Sequence, residues 1–375
     1  MRIGLNLLYL LPGIVGGTET YAAGLLHGFA RKGKQHEFFV FVNEESSHWP
    51  MPDATNMFRV ICPLNGSIRW QRYYFEQMSF KKMLSRYKID ILHSLGYVGP
   101  LITPCPSVVT IHDLNFRVNE MSVVRRVILE FFVRTTARRS NRIVAVSEFS
   151  RNEIVDQLKV PGDKVAVVHE APIPWEFPVL NDIQSSSILD KYNIREPYLL
   201  AFSNQCPHKN INGLLGAYAL SRRQYGLTHT LILVGHHPAT IDMASVMGEW
   251  GNNAVVFTGY LDRKELQSIL HRADLLVFPS FYEGFGLPVL EAMSLGVPVV
   301  CSASASLPEV AGNAGVYFNP YSVSDMAQKI SEVAMNPVLR AELRTKGFEN
   351  LERFSWEKAA IETLDIYNEV FGRAI

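Results

Sequence analysis

Short apolar runs alternate with stretches of helical periodicity along almost the whole 375-residue chain. In the first half, Arg2–Leu8, Glu37–Val42, Phe58–Cys62, Ile89–His93, Val108–His112, Arg142–Ser147 and Val165–His169 read as buried strands. Between them, Thr20–Lys32, Arg69–Tyr87, Val123–Arg139 and Glu148–Leu158 carry apolar residues at helical spacing. Such alternation predicts a parallel sheet covered by helices on both faces. The stretch Glu170–Asn181 has three prolines and no period, and reads as a linker. The alternation then restarts with strands at Tyr198–Ser203, Thr230–Val234, Ala254–Thr258, Leu275–Pro279 and Pro298–Ser302. Asp262 and Glu265 form a capping box for the helix through Arg272. Everything from Ser322 onward reads helical, and Ser355 is placed to cap a last helix, Trp356–Phe371. The expected fold class is α/β, with two Rossmann-like doubly wound parallel-sheet domains facing across a cleft. Ligands of open α/β sheets bind at the carboxyl ends of the strands.

Composition narrows the class. Hydrophobic residues are 47% and charged residues 19% of the chain, ordinary for a folded core and far from disorder. Basic and acidic residues number 36 each, which disfavours a nucleic-acid partner for the chain as a whole. That balance conceals a split: residues 1–178 hold 21 basic against 16 acidic residues, and residues 179–375 hold 15 against 20. The four cysteines have no C-x-x-C spacing, which fits reduced thiols in a cytoplasmic protein and offers no zinc site. The N-terminal run resembles a signal peptide only until Asn6 interrupts it, and a buried first strand is the better reading. No apolar run reaches the roughly 18 residues of a membrane span.

Candidate chemistry concentrates in Pro279–Gly296, PSFYEGFGLPVLEAMSLG, where a strand runs into a glycine turn and a helix start at Pro288. Backbone N–H groups and the positive helix end suit a phosphate there. Glu283 and Glu291 flank the turn, and a carboxylate can accept from both hydroxyls of a ribose. On spacing alone the glutamates could equally be helix-start acids favouring the dipole. Gly16-Gly17-Thr18-Glu19 follows the first strand without a dinucleotide fingerprint; it suits a phosphate or an acceptor, or is a tight turn capped by Thr18. His112-Asp113 ends a strand, where a histidine serves a site or is simply structural. His236-His237 is a poor metal chelator on a loop, and no D-x-D triplet occurs.

The Pro279–Gly296 segment resembles the signature of retaining glycosyltransferases of family 4, with its two glutamates separated by seven residues. FTGYLDRKEL before it, VPVVCSASASLPEVAGNAGVYFNP after it and FSW near the end extend the likeness over nearly the whole chain. The resemblance implies a GT-B fold: residues 1–172 as acceptor domain, 173–355 as nucleotide-sugar domain, and 356–375 as a helix crossing back. It implies that Glu291 holds the ribose hydroxyls and that Glu283 lies beside the transferred sugar. The amides of Phe285, Gly286 and Leu287 would meet the sugar and diphosphate. Lys209, in PHKNINGLL, would neutralise the diphosphate, and His112 would bond the donor sugar. Gly16 and Gly17 would lie beside the diphosphate. Members often carry arginines where this chain has Ser203-Asn204 and His208, so Asn204 and His208 are weaker donor contacts here. Ser147-Glu148-Phe149-Ser150-Arg151 matches the family's strand-to-helix junction, a supporting part.

The implied activity is metal-independent, retaining transfer of a hexose from a nucleotide diphosphate sugar, GDP-mannose first, to a saccharide or lipid-linked acceptor in cell-surface polysaccharide synthesis, with no cofactor. A GT-B phosphorylase or synthase using a sugar phosphate, or a non-catalytic nucleotide-sugar-binding protein, are the alternatives. Two basic stretches, residues 69–88, where Glu76 is the one glutamate, and residues 117–142, are solvated faces, or contacts for anionic lipid head groups at the cytoplasmic side or for a lipid-diphosphate acceptor.

Overall fold

The computed structural model describes residues 1–117, 121–172, 182–204, 206–235 and 254–373. It divides into two units, Met1–Ala171 with Phe354–Ile375, and Pro172–Arg353. In the first, β1 (Arg2–Asn6), β2 (Glu37–Val42), β3 (Met57–Ile61), β4 (Ile91–Ser94), β5 (Ser107–Ile111), β6 (Arg142–Ala145) and β7 (Val165–Val167) form a parallel sheet in the order β3-β2-β1-β4-β5-β6-β7. Helices α1 (Gly17–Lys32), α2 (Arg69–Tyr74), α3 (Phe80–Arg86), α4 (Val123–Arg139) and α5 (Glu148–Leu158) connect the strands. Central strands such as β4 and β6 bury nearly every residue, because helices cover both faces of the sheet.

The second unit repeats the plan with β8 (Tyr198–Ser203), β9 (Thr230–Gly235), β10 (Val255–Gly259), β11 (Leu275–Phe278), β12 (Val299–Ser302) and β13 (Gly315–Phe318), in the order β10-β9-β8-β11-β12-β13. Its helices are α6 (Asp182–Lys191), α7 (Ile211–Tyr225), α8 (Arg263–His271), α9 (Leu287–Ser294), α10 (Leu307–Ala311), α11 (Val323–Ala334) and α12 (Pro337–Leu351). The capping box of Asp262 and Glu265 forms as the sequence indicates. In both sheets the order reverses beside the first strand, between β1 and β4 and between β8 and β11. That reversal is the topological switch point of a Rossmann sheet.

Three expectations need revision. Strand β13 is an edge strand with mostly half-buried residues, so it lacks the buried run that marks the central strands. Arg69–Tyr87 is not one α-helix, because Phe75–Ser79 forms a π-turn between α2 and α3. That turn carries Glu76 inward, so this one glutamate of the basic stretch is not on its exposed face. Its carboxylate accepts from Asn6 Nδ2 at 3.0 Å, and burial raises it above the usual carboxylate range. Asn6, the polar break in the first apolar run, sits at the end of β1 and is the partner for that buried acid.

The last helix, α13 (Trp356–Gly372), belongs to the first unit, and Ser355 caps it by accepting from Lys358 N. It lies so close to α1 that a Cβ on Gly24 would sit 2.0 Å from Trp356 Cε2, and one on Gly28 would sit 2.2 Å from the Trp356 carbonyl oxygen. Polar bonds tie the same helix to the sheet: Tyr367 OH lies 2.5 Å from His93 Nδ1 in β4, and Arg142 of β6 pairs with Glu369 at 2.5 Å. His93 Nε2 lies 2.8 Å from Thr110 Oγ1, and burial pushes the ring down to about 3, so it is neutral. Gly28→Ala is therefore expected to destabilise the chain by about 1–3 kcal/mol through overpacking. Gly372→Ala, where an added methyl meets nothing within 4 Å, should change stability by less than about 0.5 kcal/mol. Urea unfolding of the two variants decides it, and equal midpoints would refute the close-packing account.

Candidate functional site

Sheet topology collects the candidate residues of the second unit. Lys209 follows β8 in the short turn Pro207–Lys209, and Glu283 follows β11. These strands are neighbours at the switch point, so their loops meet. Lys209 Nζ donates to Glu283 Oε1 at 2.6 Å, with both side chains largely buried at 18% and 14% exposure. The ammonium also stands 5.4 Å from the Phe278 ring centroid. A buried cation on the face of a ring and against a carboxylate is held in place, unlike a surface lysine.

The loop between β11 and α9 is fixed from several sides. Ser306 Oγ donates to the carbonyls of Glu283 at 3.0 Å and Phe285 at 2.7 Å. Phe281 N donates to the His208 carbonyl at 2.8 Å, tying the two switch-point loops together. Asn210, in left-handed backbone at φ 54°, donates to the carbonyls of Pro279 and Pro320. Gly286 turns the chain into the helix with φ 107°, a conformation other residues rarely adopt, and a Cβ there would meet Leu307 Cδ2 at 2.8 Å. Leu287 is the first residue of α9 and Pro288 the second, one place later than the spacing suggested. Among the described residues no side chain caps this helix, so amides at its start other than that of Val289, which donates to the Gly286 carbonyl, keep donor capacity for a ligand.

The two glutamates are in different states. Glu283 is ion-paired, whereas Glu291, one turn into α9, has no hydrogen-bond partner for its carboxylate among the described residues. Burial pushes the Glu291 carboxyl above its usual range, with the Arg263 guanidinium partly opposing. Burial and then the neighbouring Lys209 charge hold the His208 ring below its ordinary value, with the Glu283 carboxylate partly opposing. Asn204 spends its side-chain oxygen on the Cys206 amide at 2.9 Å, a local turn. His236-His237 lie outside the described residues.

In the first unit, Gly16 caps α1 with φ 60°, and Gly17 begins the helix; a Cβ on either would meet nothing within 4 Å. Thr18 is inside the helix and does not cap it, because its hydroxyl donates back to Val15 O at 3.1 Å. Glu19 holds the loop instead, accepting from Gly13 N at 2.8 Å and Trp49 Nε1 at 2.9 Å. His112 stands just past β5, against Tyr21 in an edge-on contact 4.6 Å between centroids. Ser147 caps α5 and Ser150 Oγ donates to the His112 carbonyl at 2.8 Å, so this junction supports the histidine backbone. Asp113 accepts from Asn115 N and Nδ2 and shapes the loop.

Both nitrogens of His112 face acceptors, Glu170 Oε1 at 3.0 Å and the Leu95 carbonyl at 3.1 Å. Only an imidazolium donates from both. Burial alone would depress this ring, but the hydrogen bond and charge of Glu170 outweigh it, and the ring is held above its ordinary value. Glu170 was read as the start of the linker; an acid directly after the last strand's apolar run was the signal that could have marked it.

Comparison with known proteins agrees with this architecture. The family described as Glycosyltransferase Family 4 matches residues 15–171, and Glycosyl transferases group 1 matches residues 186–350. The chain is 33% identical over 289 residues to O-antigen chain mannosyltransferase B of Escherichia coli, covering 76% of this chain and 75% of that protein. This chain belongs to glycosyltransferase family 4. It is also 28% identical to the serotype-specific mannosyltransferase WbdA of Escherichia coli over 63% of its own length, but spans only 30% of that longer protein. Among solved structures, sucrose-phosphate synthase from Thermosynechococcus elongatus superposes over 100% of both chains with a TM-score of 0.75 at 18% identity, which establishes the GT-B fold.

The raised value for His112 sets a sign. Stability from the His112–Glu170 pair is fully present below the unfolded histidine value of about 6.5 and is lost as pH rises through the higher folded value. Ring nitrogen NMR should find His112 doubly protonated at neutral pH, and Glu170→Gln should leave it singly protonated there. A neutral ring in the unmodified protein would refute the charged pair.

Proposed function

We propose that this glycosyltransferase moves a hexose from a nucleotide diphosphate sugar to a saccharide or lipid-linked saccharide acceptor, with retention of configuration and without a metal ion. GDP-mannose is the first donor candidate, which the mannosyltransferase relatives support. Cell-surface polysaccharide synthesis at the cytoplasmic side is the setting those O-antigen relatives favour. The observation that carries the reading is the buried Lys209–Glu283 pair beside the Gly286 turn and the uncapped start of α9.

On donor binding, Lys209 exchanges Glu283 for the diphosphate oxygens, and the amides of Phe285, Gly286 and Leu287 face the same anion. Glu283, released, accepts from a hydroxyl of the sugar. Glu291, whose carboxylate is otherwise unused, accepts from the ribose hydroxyls. The acceptor oxygen then bonds to the anomeric carbon as the bond to the leaving phosphate breaks, on the same face of the sugar. The departing phosphate oxygen takes the acceptor's proton. Negative charge grows on that phosphate in the transition state, where a held cation is worth most. For His112 to bond the sugar, as the family resemblance implies, one of its two N–H groups must leave the Glu170 carboxylate or the Leu95 carbonyl.

Two tests follow. Transfer should persist in EDTA at an unchanged rate in the chemical step, because Lys209 and the α9 amides serve where a metal would; single-turnover rates that vanish in EDTA and return with magnesium or manganese would exclude this. Glu291→Ala should raise the donor KM and the free-nucleotide Kd together by about tenfold or more, with little change in kcat, as expected for hydrogen bonds of about 1.5–3 kcal/mol to an unchanging ribose. Glu283→Gln should instead lower kcat while nucleotide affinity stays near the wild-type value. The reverse pattern would mean the two roles are misassigned. Phosphate-dependent release of a sugar 1-phosphate would point to a phosphorylase, and binding without turnover to a carrier of nucleotide sugars.

A further inference from the structure

Helix α4 is apolar on two opposite sides. Leu129, Val133 and Ala137 are buried against the sheet. Val123, Val124, Val127, Ile128 and Phe131 lie on the other side at about 100° per residue, and they are 45% to 75% exposed. The core therefore accounts for one stripe only. A second exposed apolar stripe, Trp70, Tyr74 and Met78, runs along α2 and the π-turn, each of its members more than 60% exposed. The two helices meet where the Tyr73 ring stacks on Phe132, 5.0 Å between centroids, so the stripes belong to one surface. An exposed apolar area of this extent is uncommon on a protein that has no partner for it.

Charge decides what covers it. Arg69, Lys81, Lys82, Arg125 and Arg138 are exposed on the same helices and the adjoining α3. The basic stretches read from the sequence are thus only partly available, because Arg117 and Arg134 are bound to Glu130, and Arg142 to Glu369. A second copy of this chain would set cations against cations. An anionic lipid surface matches both features: long cationic side chains reach the head groups while the apolar and aromatic ones enter the acyl boundary. Tryptophan and tyrosine are the residues favoured at that depth.

We infer that the exposed faces of α2, the π-turn and α4 form an interfacial membrane-docking surface that inserts Trp70, Val124, Val127 and Phe131 into an anionic bilayer, by apolar burial as well as by charge. This holds whatever the donor or acceptor, since none of these residues belongs to the proposed transfer site. Flotation of the full chain with phosphatidylcholine vesicles, with and without phosphatidylglycerol, tests it. Binding should require the anionic lipid and should persist in part at about 1 M salt, where the screening length is roughly 3 Å. Phe131→Asp with Val127→Asp should weaken vesicle binding by at least about tenfold, because those side chains no longer gain from burial, while donor binding and thermal unfolding stay unchanged. Brominated lipids should quench part of the tryptophan fluorescence, and Trp70→Phe, which preserves the fold, should remove that quenching. Undiminished binding of the double variant, binding abolished by salt alone, or no loss of quenching in Trp70→Phe would overturn the proposal. So would a self-association in solution that the double variant abolishes without any vesicle binding.

Discussion

Every candidate residue of each unit hangs on one topological constraint, the reversal of strand order beside the first strand of each sheet. Parallel strands connected by covering helices send all their carboxyl-end loops to one edge. Where the order reverses, the loops after two neighbouring strands leave in opposite directions and a gap opens between them. In the second unit that gap brings Lys209 after β8 to Glu283 after β11. In the first unit, the loops after β1, β4 and β5 supply Gly16, Leu95 and His112, and the Tyr9 hydroxyl lies 3.3 Å from the carbonyls of both Thr18 and Leu95.

The two sites solve the cost of buried charge by the same means. Lys209 and His112 are each held by one carboxylate, and each pair is largely withdrawn from water. Such pairs contribute little net stability over an apolar alternative, yet losing one partner strands the other at a cost of about 3–5 kcal/mol. They differ in what lies beside them. Glu283, the partner of Lys209, lies in the loop that leads into α9, whose residue Glu291 has no hydrogen-bond partner for its carboxylate among the described residues. Both nitrogens of His112 are already engaged, which fixes the ring and its charge before any substrate arrives.

Packing of α13 on α1 reaches His112 through a chain of ring contacts. Trp356 stacks edge-on with Tyr21, 5.8 Å between centroids, and Tyr21 in turn stands against His112. The Tyr21 hydroxyl lies 3.0 Å from Thr110, the same hydroxyl that His93 reaches. Two small residues on α1, Gly24 and Gly28, allow the close approach on which this chain of contacts rests.

The sequence by itself determined the elements and the class of fold, because a fully buried parallel strand needs an unbroken apolar run and a covering helix needs its own period. It also determined the α9 site: Gly286, Glu283 and Glu291 lie within nine residues, where local geometry alone relates them. It left His112 ambiguous, since its partner Glu170 is 58 residues away and the intervening strands decide that they meet. The π-turn carries Glu76 inward onto Asn6, and the arginines of residues 117–142 looked free until Glu130 and Glu369 reached them. The exposed stripe of α4 was likewise invisible, because periodicity reports that residues are apolar and only packing decides which of them the core has room to bury. Charge pairing and burial are long-range properties of the folded chain, and those were the features that only the tertiary structure decided.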